Sequence, residues 1–466
     1  MIPLLPVAIG GILASLVAQY GSPRAASPAT TVAAALALAP VGFLLAALAA
    51  RVGAPGVLQN ESDRALRRYA LLVKLPWVLL LAAYGWVVQE GGLALLARSL
   101  GGLAEGPALL GPWVCVCFAI WSGHDEGERI AVRRAGIEPL SRRHVLAGRA
   151  RRVLVPLAAL LLLDVVLGLV LGIESVREAL DLHPRARSLV LGGGVLVLFG
   201  LAPLVMRLIF RTRAMSLAGA PYPTRLWELG PPVATASVAG VFPFYRTIFV
   251  TPRLLEVMDA REGSAVLRHE IGHATLGHLR VLALVACAAI VGLDDFSALG
   301  VWSLALLAAG AAAFVALARR LEHDADLHAA ASAPGGGDAI ASALLKCCAV
   351  NGQSPERGGV RHPSVARRIA LVERAAHDPG FAARRLRRSE LLLGAISALS
   401  VLAIGRASLL ALDEARSPLG PRLLAAARER LDQHDHEIAR GYAERARASD
   451  AEQARSLLQE IERASR

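Results

Sequence analysis

Several uninterrupted apolar runs in this chain approach the roughly 20 residues that an α-helix needs to cross a bilayer, and they leave it few ways to fold. In lipid every backbone N–H and C=O has to be bonded internally, so runs of this kind read as membrane-spanning helices. The candidates are 1–20, 30–50, 70–88, 106–122, 153–173, 188–208, 281–297, 300–318 and 391–412. The last carries Arg406 in its interior. The first starts at Met1 with no basic leading stretch and no evident small-residue cleavage site, so it reads as a retained helix. Hydrophobic residues make up 55% of the 466, a composition that excludes an ordinary soluble enzyme.

A net charge of +12 invites a nucleic-acid reading, but the arginines argue against it. They gather at the ends of apolar runs. The stretch 123–152 carries Arg129, Arg133, Arg134, Arg142, Arg143, Arg149, Arg151 and Arg152. That is the positive-inside pattern, and it suits contact with anionic headgroups. Basic and aromatic residues are not interleaved, so no nucleic-acid partner is expected. With the basic loops at 51–69 and 123–152 in the cytoplasm, counting crossings puts 89–105 and 174–187 outside and returns the chain inside at Arg207, Arg211 and Arg213. Of the five cysteines, Cys115, Cys117 and Cys287 fall in apolar spans and Cys347 and Cys348 are adjacent. No CxxC pair occurs, so neither a disulfide framework nor a cysteine zinc site is indicated.

The polar segments hold the chemistry. PYPTRLWELGPP (221–232) reads as a loop, because its prolines preclude a helix, and ATASVAGVFPFYRTIFVTPRLL suits a short strand or hairpin. A helical pattern starts near Arg261, with Ser264 as its candidate N-cap. On that helix lies RHEIGHATLGH (268–278). Residues four apart share a helix face about 6 Å apart along the axis, so His269 and His273 can offer ring nitrogens to one ion. Glu270 lies beside that face, placed to take a proton from water without ligating the metal. His278, five residues after His273, is expected to turn away from the pair.

Catalytic zinc takes three protein ligands and keeps one position open. The third is available at RRLEHDADLHAA (319–330), where Glu322 can bind through a carboxylate oxygen and Asp326, one turn on, can fix the tautomer of a ligand imidazole. Two apolar runs separate His273 from Glu322, and two crossings bring the chain back to the side it left. The bland alternatives are a polar helix face for the two histidines and partnership with Arg319 or Arg320 for Glu322.

HEIGHATLGH, an apolar hairpin, EHDAD and then HPSVARRI (362–369) together resemble the Ste24/HtpX class of integral-membrane zinc metalloproteases, peptidase family M48, over roughly 250 to 370. The resemblance implies one zinc ion per chain, held by His269, His273 and Glu322. It implies Glu270 as general base, His362 as oxyanion stabiliser, and Asp326 and Arg368 as residues that hold the site. Members of the class often carry an Asn-Ala pair on the edge strand before the HExxH helix, whereas VFPFYRTIFV, taken here as the corresponding stretch, has no asparagine.

The expected fold is mostly α: a polytopic helical membrane protein with a cytoplasmic zincin-like metalloprotease domain carrying a small β-strand or hairpin. Residues 1–208 form the N-terminal membrane region with about six spans. The peptidase domain is 209–388, interrupted by a hairpin at about 281–318; 389–412 is a further candidate span; 413–466 is a charged helical tail. The expected function is hydrolysis of polypeptide substrates, membrane-associated or misfolded, at the lipid bilayer. Alternatives are a catalytically weak zinc-stabilised scaffold or sensor, and a regulated signalling protease. The Ala- and Arg-rich composition suggests a bacterial inner membrane with the site facing the cytoplasm; oligomeric state is not readable.

Overall fold

The computed structural model describes residues 28–60, 63–89, 105–134, 173–228, 233–292, 302–333, 335–351, 353–356, 358, 362–432 and 435–465. The candidate spans at 1–20 and 153–173, and the turn joining 281–297 to 300–318, lie outside these residues. The chain divides into two compact units, the first running to Gly172 and the second from Ile173 onward apart from a short stretch at 229–231. In the first unit, α1 (Pro28–Asn60), α2 (Asp63–Gln89) and α3 (Glu105–Arg134) share a core built on Trp77, Tyr84, Trp113, Ile120 and Trp121.

The second unit starts with α4 (Glu174–Asp181) and α5 (Pro184–Ile209), which leads directly into a four-stranded sheet. The strands are β1 (Arg211–Met215), β2 (Thr224–Glu228), β3 (Ala236–Ala239) and β4 (Thr247–Val250), in the order β1-β2-β4-β3. β1 and β2 are antiparallel, β2 and β4 parallel, β3 and β4 antiparallel. β3 and β4 form the hairpin that alternation predicts. β2 corrects the reading of 221–232 as loop: Pro223 precedes the strand and Pro231 follows it, so no proline removes a ladder donor from TRLWE.

After the short α6 (Pro252–Val257) come α7 (Ala260–Thr275) and α8 (His278–Val291), bent by 45° relative to one another. The bend needs a left-handed residue, and Gly277 supplies it at φ 76°. The N-cap of α7 is Asp259 and not Ser264. Asp259 and Glu262 form a reciprocal capping box, so the helix opens one turn earlier than Ser264 would allow. Next are α9 (Trp302–Ser332), α10 (Gly336–Val350), α11 (Val365–His377) and α12 (Pro379–Arg416). The last three are α13 (Leu419–Asp432), α14 (His436–Ala446) and α15 (Ala451–Ala464). The charged helical tail is thus three helices, whose Leu423, Leu424, Tyr442, Leu457, Leu458 and Ile461 close into a core of their own.

Among the described residues four helical segments are long and apolar enough to cross a membrane: Thr31–Pro55, Leu71–Val88, Pro184–Leu208 and Gly380–Arg416. Their outer faces carry large apolar side chains such as Leu44, Leu71, Leu208, Leu402 and Leu409, exposed in numbers that water does not tolerate and lipid does. The protein is an integral membrane protein built mainly of helices, with a small mixed sheet beside the helices that carry the polar motifs.

Candidate metal centre

Helices α7 and α9 form the centre. They cross closely at Gly272, where a Cβ would stand 3.1 Å from His328 Cδ2 and 3.3 Å from the Ala325 Cα, so the glycine of HEIGH lets the second helix come near enough to share a ligand set. Glu262 anchors the first turn of α7, accepting from Lys346 Nζ at 2.7 Å and Ser342 Oγ at 2.6 Å on α10.

His269 Nε2 and His273 Nε2 stand 3.3 Å apart. Glu322 closes the triangle, with Oε2 3.8 Å from His269 Nε2 and Oε1 3.6 Å from His273 Nε2. All three ligand atoms lie within 4.8 Å of one another. Bonds of about 2.0–2.2 Å to a tetrahedral ion place ligand atoms about 3.3–3.6 Å apart. The two ring nitrogens stand at that spacing, and the carboxylate contacts, made by different oxygens, lie at its upper edge (3.6 Å) and 0.2 Å beyond it (3.8 Å). Two imidazoles with one carboxylate are a donor set zinc accepts. The residues fit the metal.

Around this triangle sits a second ring of contacts. His269 Nδ1 lies 3.0 Å from Asp326 Oδ1, a close contact that is not an in-line hydrogen bond. Asp326 is fully buried and held by Arg368, which also comes within 3.6 Å of Glu322 Oε2. Burial alone raises a carboxyl's pKa; the Arg368 guanidinium reverses this for Asp326 and brings it down to about 2. At Glu322 burial is likewise outweighed, by contact with His362 and the ring charge of His273, which keeps its carboxyl well below the usual range. For His269, burial disfavours the charged ring, but Asp326 prevails and the net shift is upward.

His362 Nδ1 contacts Glu322 Oε2 at 2.7 Å from an exposed position on the rim. Glu270 is not among the three ligands; its Oε2 accepts a hydrogen bond of 2.8 Å from the amide of Val238 on β3. This amide fixes the location of the edge strand and corrects its assignment. Among the described residues β1 and β3 are the edge strands, and the one bonded to Glu270 is β3, Ala236–Ala239, whereas VFPFYRTIFV runs through a 3-10 turn into the inner strand β4. ATASVAG likewise contains no asparagine.

His278 is the residue that sequence reasoning placed wrongly. On a continuous helix it would point away, but the break at Gly277 swings it back, and its Nδ1 stands 2.9 Å from His273 Nδ1. Burial and repulsion from His269 push its pKa down to about 4, so it is neutral at pH 7 and able to accept a proton-bearing nitrogen. His323 and His328 are not in the triangle; His323 Nδ1 meets Arg385 Nη2 at 3.2 Å and His328 packs on Gly272.

Residues 211–376 match the family model described as Peptidase family M48. A solved structure with similarity, "Crystal Structure of S. mikatae Ste24p", aligns at a TM-score of 0.33 and 12% identity, covering 73% of this chain and 98% of that one. No curated protein matches the sequence.

Proposed function

We propose, from the premise that residues 211–376 belong to peptidase family M48, that this membrane metallopeptidase is a zinc endopeptidase acting on membrane-associated or misfolded polypeptides. The observation that supports it most is the convergence of His269, His273 and Glu322 from two helices, with Glu270 on the same helix as the histidines.

Zinc in that triangle would supply acidity to water and polarise a scissile carbonyl. The chain's residues do the rest. Glu270 takes the proton from the attacking water and delivers it to the leaving amine. Val238 N–H holds the Glu270 carboxylate by its Oε2 and so fixes the position of the base. Asp326 orients the His269 ring, and Arg368 keeps Asp326 charged. His362, on the rim, leaves Glu322 when a peptide enters and donates to the developing oxyanion. A substrate strand lies along β3, an edge strand among the described residues, where main-chain pairing supplies affinity without sequence demands. Positive-inside counting supports a cytoplasmic site, and the Ala- and Arg-rich composition supports a bacterial inner membrane.

The test is cleavage of an unfolded protein such as casein by purified, zinc-loaded protein in detergent. The expected result is cleavage that a chelator stops and added zinc restores. Stoichiometric zinc with no cleavage would favour the scaffold reading, which the missing edge-strand asparagine supports.

A further inference from the structure

In the second unit the C-terminal helices grip the segment that precedes α5. Arg430 on α13 forms a two-pronged pair with Asp181, Nε to Oδ2 at 2.9 Å and Nη2 to Oδ1 at 2.6 Å. The buried Tyr442 hydroxyl on α14 donates to the same carboxylate at 2.9 Å. Arg445 pairs with Glu178 at 2.7 Å and Arg187 with Glu429 at 2.8 Å. Leu182 inserts into the core of the three helices. A bidentate buried pair, a third hydrogen bond and a shared apolar core make one folded module of α4 and α13–α15.

Two helices leave that module and end at the metal domain. α5 starts at Pro184 beside it and runs into β1; α12 starts beside α11 and ends at Ser417, where the module begins. α5 has 26 residues, about 39 Å, and α12 has 38, about 57 Å, against a hydrocarbon core of about 30 Å. α8 sets the direction independently. It leaves the metal centre at His278, and its far end packs Cys287 and Val291 against Leu189 on α5 and Ala407 on α12, in the halves nearer the module. Apolar side chains stay exposed along both long helices, from Val190 to Leu208 and from Leu391 to Leu412.

We infer that α4 and α13–α15 form a module on the membrane face opposite the metal centre, connected to it by α12. The connection is specific at its other end. Ser389 on α12 donates to Asp324 and accepts from Arg320 Nε at 2.8 Å, and these residues bracket Glu322 on α9. A displacement of the module along α12 therefore acts on the segment that carries the third metal ligand. This inference does not require the protein to cleave peptides.

Two measurements decide it. Glu452→Cys on the module and Glu373→Cys on the metal domain are labelled with a membrane-impermeant maleimide in intact cells and in inverted membrane vesicles, with the parent protein's own cysteines as background. Each position is expected to label from one side only, the two sides being opposite; labelling of both from the same side overturns the location. For the connection, amide exchange over 319–330 is followed in full-length protein after Arg430→Met and, as a milder change, Asp181→Asn. Exchange about fivefold faster or more is expected, a coupling of ordinary size between distant sites. Unchanged exchange in both variants overturns the connection. Absence of casein cleavage would count against the proposed function alone and leave both measurements standing.

Discussion

Arg368 grips Asp326 with both prongs of its guanidinium, Nε donating to Oδ2 over 2.7 Å and Nη2 to Oδ1 over 2.6 Å. Neither side chain belongs to the ligand triangle, yet the pair fixes the carboxylate next to His269. Removing one partner of a buried ion pair leaves the other charge uncompensated and costs about 3–5 kcal/mol. Arg368→Ala is therefore expected to lower the thermal stability of the peptidase domain, read as its melting temperature in detergent. Zinc affinity should also fall about 10–100-fold, as loss of an outer partner of a metal-bound histidine does. Full stability and wild-type zinc affinity in this variant would show that the pair is dispensable.

The same pair sets an acid limit on the metal-free protein. Asp326 sits at about 2 in the folded state against an ordinary 3.8, so its contribution to stability is complete above the ordinary value and drains away as pH falls through the folded one. Glu322 and Glu262 are shifted in the same direction and add to the same slope. Melting temperatures of metal-free protein should hold steady down to about pH 4 and then fall steeply. Arg368→Met should flatten that fall. A profile that Arg368→Met leaves unaltered would place the acid sensitivity elsewhere.

His278 holds His273 by its outer nitrogen. For His273 Nε2 to face a cation, Nδ1 has to carry the proton, and His278 Nδ1 is the acceptor that selects this tautomer. His278→Ala should weaken zinc binding about 10–100-fold in a chelator competition, with His278→Gln, which keeps an acceptor, falling between. Equal affinities in all three proteins would reduce the histidine to a packing residue.

What the sequence makes legible follows the range of the interaction. His269 and His273 are one helical turn apart, so their common face is local information. Glu322 is remote in the chain, but an apolar hairpin that must return makes its approach readable. β1 and β2 were hidden because RTRAM and TRLWE are too polar for an alternating pattern; their partners, not their composition, make them strands. Asp259 and Glu262, three residues apart, carry the capping-box signature in the sequence, whereas Ser264 has no acidic residue at that spacing. His278 was misplaced for a geometric reason, since one left-handed glycine reverses the direction that helical spacing assigns. The tail's own periodicity is clear, but its closure on Asp181, 249 residues before Arg430, and on Leu182 leaves no local trace.

Glu270→Gln tests the central claim most directly, with zinc content and casein cleavage measured on the same preparation. The substitution preserves size and the hydrogen bond from Val238 through the side-chain carbonyl while removing the basic oxygen. The expected result is one zinc per chain, as in the parent protein, with cleavage reduced by about 10²–10⁴-fold, the worth of a positioned general base. Cleavage at the parent's rate by zinc-loaded Glu270→Gln would contradict the account.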